Sequence, residues 1–220
     1  FRLGMVNDAE RYMFEAQEAI PNCRKSSRMT RRIAECELIN GNYQVAAKLL
    51  RRLQKTLFYS NWAAETMALL GKEKAINRHP IYGKLRKYRE KKKDYLFSDR
   101  EMDQMIGRLL VNSIQNKMAY EYLICYELLN CNLQKFKEYY PLGKDMGYDH
   151  IPRSFQEILI GNWLMTHGDP RTIPYSVDAN VVNNTVEFFQ INIANPKDPR
   201  LNQMPYVTNA WHYMMINQKQ

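Results

Sequence analysis

GMVNDAERYMFEAQEAIP, from Gly4 to Pro21, and GNYQVAAKLLRRLQKTLF, from Gly41 to Phe58, carry one pattern in one order. Gly4, Ala9, Met13, Ala16 and Pro21 in the first correspond to Gly41, Ala46, Leu50, Leu53 and Phe58 in the second, each pair thirty-seven positions apart. A small residue, a larger apolar one four later and a small or apolar one three after that is how one helix of a helix–turn–helix repeat packs on its partner. The repeat predicts an array of antiparallel helix pairs, an architecture whose function lies in what it holds.

Outward from these stretches the helical signals continue. Asn7, with Glu10 three later, predicts a capped helix over 8–20 with Ala9, Tyr12, Met13, Ala16, Ala19 and Ile20 on its apolar face. The next runs from near Lys25 to Asn40-Gly41, a pair suited to a left-handed stop. Asn42 then caps a helix whose inner stripe is Val45, Ala46, Leu49, Leu50, Leu53 and Leu57. A shorter helix covers 60–71, and Lys72 to Asp94 reads as an irregular connection followed by a solvated helix. Ser98 with Glu101 forms a capping box ahead of Met102, Met105, Ile106, Leu109, Leu110 and Ile114. The partner stripe is Ala119, Tyr122, Leu123, Tyr126 and Leu129, and Asn132 starts a helix that stops at Pro141. Helices over 153–166, 177–192 and 206–216 complete the chain. No segment alternates like a strand, so the expected fold is all-α. The expected division is 1–71 as helix pairs, 72–97 as a basic connection and 98–220 as a second helical half.

The 220 residues contain no apolar run near the roughly 18 needed to cross a bilayer, and 45% hydrophobic with 12% aromatic residues is too apolar for disorder. Fifteen tyrosines and twelve methionines fall largely on inner stripes, where packing is their default use. Cys23, Cys36, Cys125 and Cys131 lack zinc-ligand spacing, and Cys36 and Cys125 fall on apolar helical faces. No metal, cofactor or catalytic motif is expected: nucleophile elbow, phosphate loop, HExxH and dinucleotide fingerprint are all missing. The net charge of +9 is concentrated at Arg24 to Arg32 and Lys84 to Lys93.

The Gly-Ala-Pro pattern resembles the second helix and closing proline of tetratricopeptide repeats, with Ile33-Ala34 in place of their Leu-Gly pair, Phe58 in place of the second proline, and a period longer than their thirty-four. The resemblance implies an irregular α-α superhelix. More specifically, LGMVNDAERYMFEAQEAI (Leu3 to Ile20), LINGNYQVAAKLLRRLQKTLFY (Leu38 to Tyr59), FSDREMDQM (Phe97 to Met105) and YPLGKDMGYDHIPRSFQE (Tyr140 to Glu157) resemble a family of uncharacterised bacterial membrane proteins. That family places transmembrane helices first and a helical-repeat region last. The resemblance brings no activity or site residues, and implies that Phe1 follows a membrane portion that would attach this region to a bilayer.

Two clusters have the residue types for function. Asp145, Asp149 and His150, with Glu157 a helix start later, could pair an imidazole with a carboxylate for acid–base work, although loop residues of this kind more often cap the next helix. Lys84, Arg86, Lys87, Arg89, Lys91, Lys92 and Lys93, interleaved with Tyr82, Tyr88 and Tyr95, could grip anionic headgroups. The same residues could hold nucleic-acid phosphates while the tyrosines stack on bases, but at helical spacing Leu85 and Tyr88 face inward and most charges form a solvated face, which is the more ordinary use of such a run. An upstream membrane portion favours headgroups over nucleic acid. His167-Gly168-Asp169 offers two metal ligands at most and reads as a helix C-terminus. The expectation is a non-enzymatic scaffold that binds a protein or peptide. The alternative is an accessory domain of a membrane enzyme acting on glycans or lipid-linked sugars, with its catalytic residues elsewhere, and a hydrolase at Asp149 and His150 ranks third.

Overall fold

The computed structural model describes residues 1–21, 24–91, 102–206 and 208–217. Among them the chain is all-α, with helices packed in neighbouring pairs and no strand. They form two compact units, residues 1–123 and 124–220.

In the first unit α1 (Val6–Glu18) and α3 (Tyr43–Leu53) both lie along α2 (Ser27–Asn40). Because α2 has neighbours on several sides, Ile33, Ala34, Cys36, Leu38 and Ile39 are all buried and even Glu35 and Glu37 are covered. Each fully buried Leu or Ile contributes about 1.5–3 kcal/mol, so α2 supplies much of this unit's stability. Burial also pushes the Cys36 thiol up and out of the range in which it would ionise. Glu35 is held by Arg31 and Arg32, and Arg31 stacks over Tyr59 and Trp62. After α4 (Ser60–Met67), α5 (Glu73–Arg78) and α6 (Tyr82–Tyr88) bring Ile76, Tyr82 and Leu85 into the same core as Val6, Leu38 and Ile39. The stretch expected as a basic connection therefore contains two core helices. Next come α7 (Met102–Asn112) and α8 (Lys117–Leu129), the latter capped by Asn116, whose carbonyl oxygen accepts from Ala119 N–H and whose amide donates to the Leu3 carbonyl. The division between the units falls within α8.

The second unit continues through α9 (Leu133–Tyr139), a 3-10 segment (Tyr140–Met146), α10 (Arg153–His167), α11 (Ala179–Ala194) and α12 (Asn209–Asn217). Helix α10 is its centre, buried continuously from Phe155 to Asn162 and packed on both α11 and α12.

Six residues are reused as a joint. Glu37-Leu38-Ile39-Asn40-Gly41-Asn42 connects α2 to α3, and Glu127-Leu128-Leu129-Asn130-Cys131-Asn132 connects α8 to α9 ninety positions later. In the first, Gly41 N–H donates to Leu38 O at 3.3 Å and Asn42 N–H to Glu37 O at 2.9 Å; in the second, Cys131 N–H donates to Leu128 O at 3.0 Å and Asn132 N–H to Glu127 O at 2.9 Å. Both are the double-bonded stop that needs a left-handed residue just past the helix end. Gly41 meets that need at φ 84°, whereas Cys131 carries a side chain at φ 56°. Cys131→Gly is accordingly expected to stabilise the second unit by about 1 kcal/mol, read as a higher urea midpoint.

Several expectations are corrected. Asn7 does not cap α1, which begins at Val6; its side chain accepts from Asn40 across the α1–α2 seam. Tyr12 lies on the exposed side of α1, and Ala19, just past its end, is exposed too. Helix α3 stops at Leu53, so Leu57 leaves the inner stripe and is 87% exposed, while Val45 also faces outward. Ile114 lies beyond the end of α7 and is half-exposed for the same reason. On α8 the buried stripe is Ala119, Tyr120, Leu123, Ile124 and Glu127, which leaves Tyr122, Cys125 and Leu129 exposed. The capping box at Ser98 and Glu101 lies outside the described residues, as does Cys23.

Candidate functional site

The polar loop does not assemble an acid–base pair of the kind its sequence suggests. Asp145, in the 3-10 segment, and Asp149 and His150, just after it, are all exposed. The carboxylate that faces His150 belongs to Asp178, at 3.9 Å, on the segment entering α11. Both groups are mostly exposed, so water screens their attraction. Gln156 occupies the space between: its amide donates to Asp178 Oδ2 at 3.1 Å and to Ile151 O at 2.8 Å, and its carbonyl accepts from Asp178 N–H at 2.7 Å. These bonds fasten the start of α11 to α10.

Glu157 is fully buried and has a structural task. Its carboxylate accepts from Arg153 Nε at 3.0 Å and from Ala210 N–H at 2.8 Å, in the first turn of α12. A carboxylate there satisfies an otherwise unpaired donor and opposes the positive end of the helix. The Glu157 carbonyl also accepts the Trp211 indole N–H at 2.6 Å. His167-Gly168-Asp169 is a helix end, with Gly168 at φ 75°, His167 stacked on Trp163 at 3.7 Å, and Asp169 accepting from Arg171 N–H at 2.9 Å. Among the described residues no group of three or more His, Cys, Asp or Glu is placed to hold a metal ion.

The basic stretch splits into inward and outward members. The Arg86 guanidinium donates to Glu73 at 2.6 Å, Asn77 at 3.1 Å, Tyr43 at 2.8 Å and the Leu38 carbonyl at 3.1 Å, which ties α6 to the end of α2. Tyr43 donates in turn to Glu73. Arg89 donates to Asn40 Oδ1 at 3.1 Å, and burial together with neighbouring Arg86 holds its pKa below the usual arginine range. Lys84, Lys87 and Lys91 are exposed, while Lys92, Lys93 and Tyr95 lie outside the described residues. Tyr82 is buried and stacked on His79 at 4.1 Å, and Tyr88 donates to Gln115 O at 3.2 Å. Burial against His79 leaves no ring face of Tyr82 for a nucleobase.

A third polar cluster escaped sequence reading. At the α1–α2 seam, Asn40 Nδ2 donates to Asn7 Oδ1 and Glu10 Oε2, both at 3.3 Å, while Asn42 Nδ2 donates to Glu37 Oε2 at 2.7 Å. Burial, and then the adjacent Glu37 carboxylate, push the Glu10 pKa up to about 8. The folded state therefore holds a proton that the unfolded chain releases near 4.5, and the associated stability is complete below that pH and lost as pH rises through about 8. Glu10→Gln, which retains a donor toward Glu37 without titrating, is expected to remove most of this slope: its melting temperature should match wild type near pH 5 and exceed it by several degrees near pH 9. Parallel pH profiles for the two proteins would contradict the shared proton. The sequence signal for this cluster is Asn7 with Glu10 and Glu37 with Asn40, each pair three apart on one of two adjacent helices, which is visible once the pairing of α1 with α2 is known.

No curated protein and no solved structure matches the chain. The model of a family of unknown function, DUF6057, matches residues 1–217. With that match spanning nearly the whole array of helices, the chain belongs to the DUF6057 family.

Proposed function

We propose that this chain is a non-enzymatic scaffold, an irregular tetratricopeptide-like array that binds a protein or peptide and is carried at the C-terminal end of a membrane protein. The observation that carries this reading is the use made of its reactive side chains. Glu157 serves the start of α12, Gln156 and Asp178 serve the α10–α11 joint, and Arg86 serves the end of α2. Helix pairs joined at left-handed residues such as Gly41 and Cys131 supply the repeat character. No helix among the described residues is long and apolar enough to cross a membrane, so on this reading the bilayer attachment lies elsewhere in the natural protein.

The test is mass spectrometry of crosslinked partners recovered with the natural full-length protein, compared with a version lacking residues 1–220. The scaffold reading expects a discrete partner lost on deletion. An identical partner list would overturn it.

A further inference from the structure

We propose that the turn joining α3 to α4 is a membrane-contact tip that seats on an anionic lipid bilayer. Leu57 and Phe58 stand at this turn with 87% and 86% of their surfaces exposed. Single exposed apolar residues are ordinary on a protein surface, but two large adjacent ones at the apex of a turn are not accounted for by the core.

The turn is held in place at both ends. Thr56 N–H and Thr56 Oγ1 both donate to Leu53 O, at 2.9 and 2.6 Å, and Lys55 N–H donates to Arg52 O at 3.2 Å. On the far side Tyr59 and Trp62 pack against the Ala34, Leu50, Leu53 and Ala63 cluster, with Arg31 stacked over both rings. Leu57 and Phe58 are thus projected outward by a bonded frame.

The surrounding charge identifies the occupant. Lys48, Arg51, Arg52 and Lys55 are exposed on the side of α3 opposite its buried Ala46, Leu50 and Leu53 and on the turn that follows. No acidic residue occurs between Glu37 and Glu65. Among the described residues no carboxylate pairs with any of the four cations. An apolar pair flanked by unpaired cations matches a bilayer interface, where apolar side chains enter the acyl boundary and Lys or Arg meet headgroup phosphates. A protein groove could accept Leu57 and Phe58, but it would need its own carboxylates to use four cations. This inference stands apart from the scaffold reading, since a chain that binds no protein could still seat on lipid through this tip.

The experiment is co-sedimentation of the full chain with vesicles of phosphatidylcholine and phosphatidylglycerol, and with vesicles of phosphatidylcholine alone. Binding is expected to the anionic vesicles only and to weaken as salt is raised. Leu57→Ser with Phe58→Ser should lower the partition coefficient by at least about tenfold, and Arg51, Arg52 and Lys55→Gln together on the order of a hundredfold. Because these side chains are exposed, melting temperatures should be unchanged. In Phe58→Trp, tryptophan emission should gain a component quenched by bromine-labelled acyl chains. Three results would overturn the proposal. One is failure of the wild type to sediment with anionic vesicles, which would leave the tip for a protein. Another is an equal or larger loss in Lys84, Lys87 and Lys91→Gln, which would move the contact to α6. The last is a concentration-dependent dimer that Leu57→Ser with Phe58→Ser abolishes, which would assign the tip to a second copy.

Discussion

Replacing Gly161 by alanine is expected to destabilise residues 124–220 by about 2 kcal/mol, although alanine is the better helix former. A Cβ on Gly161 would stand 2.3, 2.4 and 2.5 Å from three atoms of the Trp211 indole. That ring cannot swing aside cheaply. Its N–H is bonded to the Glu157 carbonyl, and Phe189 of α11 meets it edge-on at 5.0 Å. Overpacking of about 3 kcal/mol therefore outweighs a helix-propensity gain of about 1 kcal/mol. Urea unfolding followed by tryptophan fluorescence reads the loss. Trp211→Phe in the Gly161→Ala background should recover part of it, because the smaller ring frees the space, and this coupling is what a double-mutant cycle isolates. A rise in midpoint for Gly161→Ala alone would show that the indole is not seated on α10.

The second large effect is expected at Gly83→Ala in the first unit, a loss of about 3 kcal/mol. The obstacle here is backbone. An added Cβ would lie 2.1 Å from the Asn77 carbonyl oxygen, 2.7 Å from its carbon and 3.2 Å from the Ile76 oxygen. No rotamer change relieves such a contact, so α5 and α6 would have to part and Ile76, Tyr82 and Leu85 would lose their packing. Gly107, within α7, has nothing within 4 Å of the corresponding position. Gly107→Ala is thus the natural control, with an expected gain of up to about 1 kcal/mol. Opposite signs for two helical glycines in one unit would establish that close approach decides, since propensity alone predicts a gain at both.

Helices with both a clear apolar period and a stop residue were legible in the sequence. The second helix ending at Asn40-Gly41, the ninth starting at Asn132, and the tenth ending at Gly168 all stand within a few positions of expectation. Errors arose where the period continued without a fold to support it. Leu57 extends the Leu50 and Leu53 spacing, yet the helix had already closed at Leu53, and nothing in the composition of 54–56 marks the stop. Helix α8 is apolar on most sides, so the sets Tyr122 with Leu129 and Tyr120 with Ile124 satisfy helical spacing equally well, and only neighbouring helices choose between them. Partners far apart in sequence were beyond reach for another reason. His150 meets Asp178 and Arg86 meets the Leu38 carbonyl through tertiary packing, and a run of like charges does not reveal which member turns inward.

The six-residue joint shared by α2–α3 and α8–α9 has a consequence for how such a molecule can grow. Both bonds that make its stop, from the fifth residue to the second and from the sixth to the first, connect positions within the same hexapeptide, so the geometry of the stop is set locally and does not depend on the length of the helices on either side. A chain built on such portable connectors can acquire or shed whole hairpins without recutting its seams. Extent and surface composition then become adjustable independently, and the side chain carried by Cys131 at a left-handed position shows that the connector keeps its shape with a residue other than glycine.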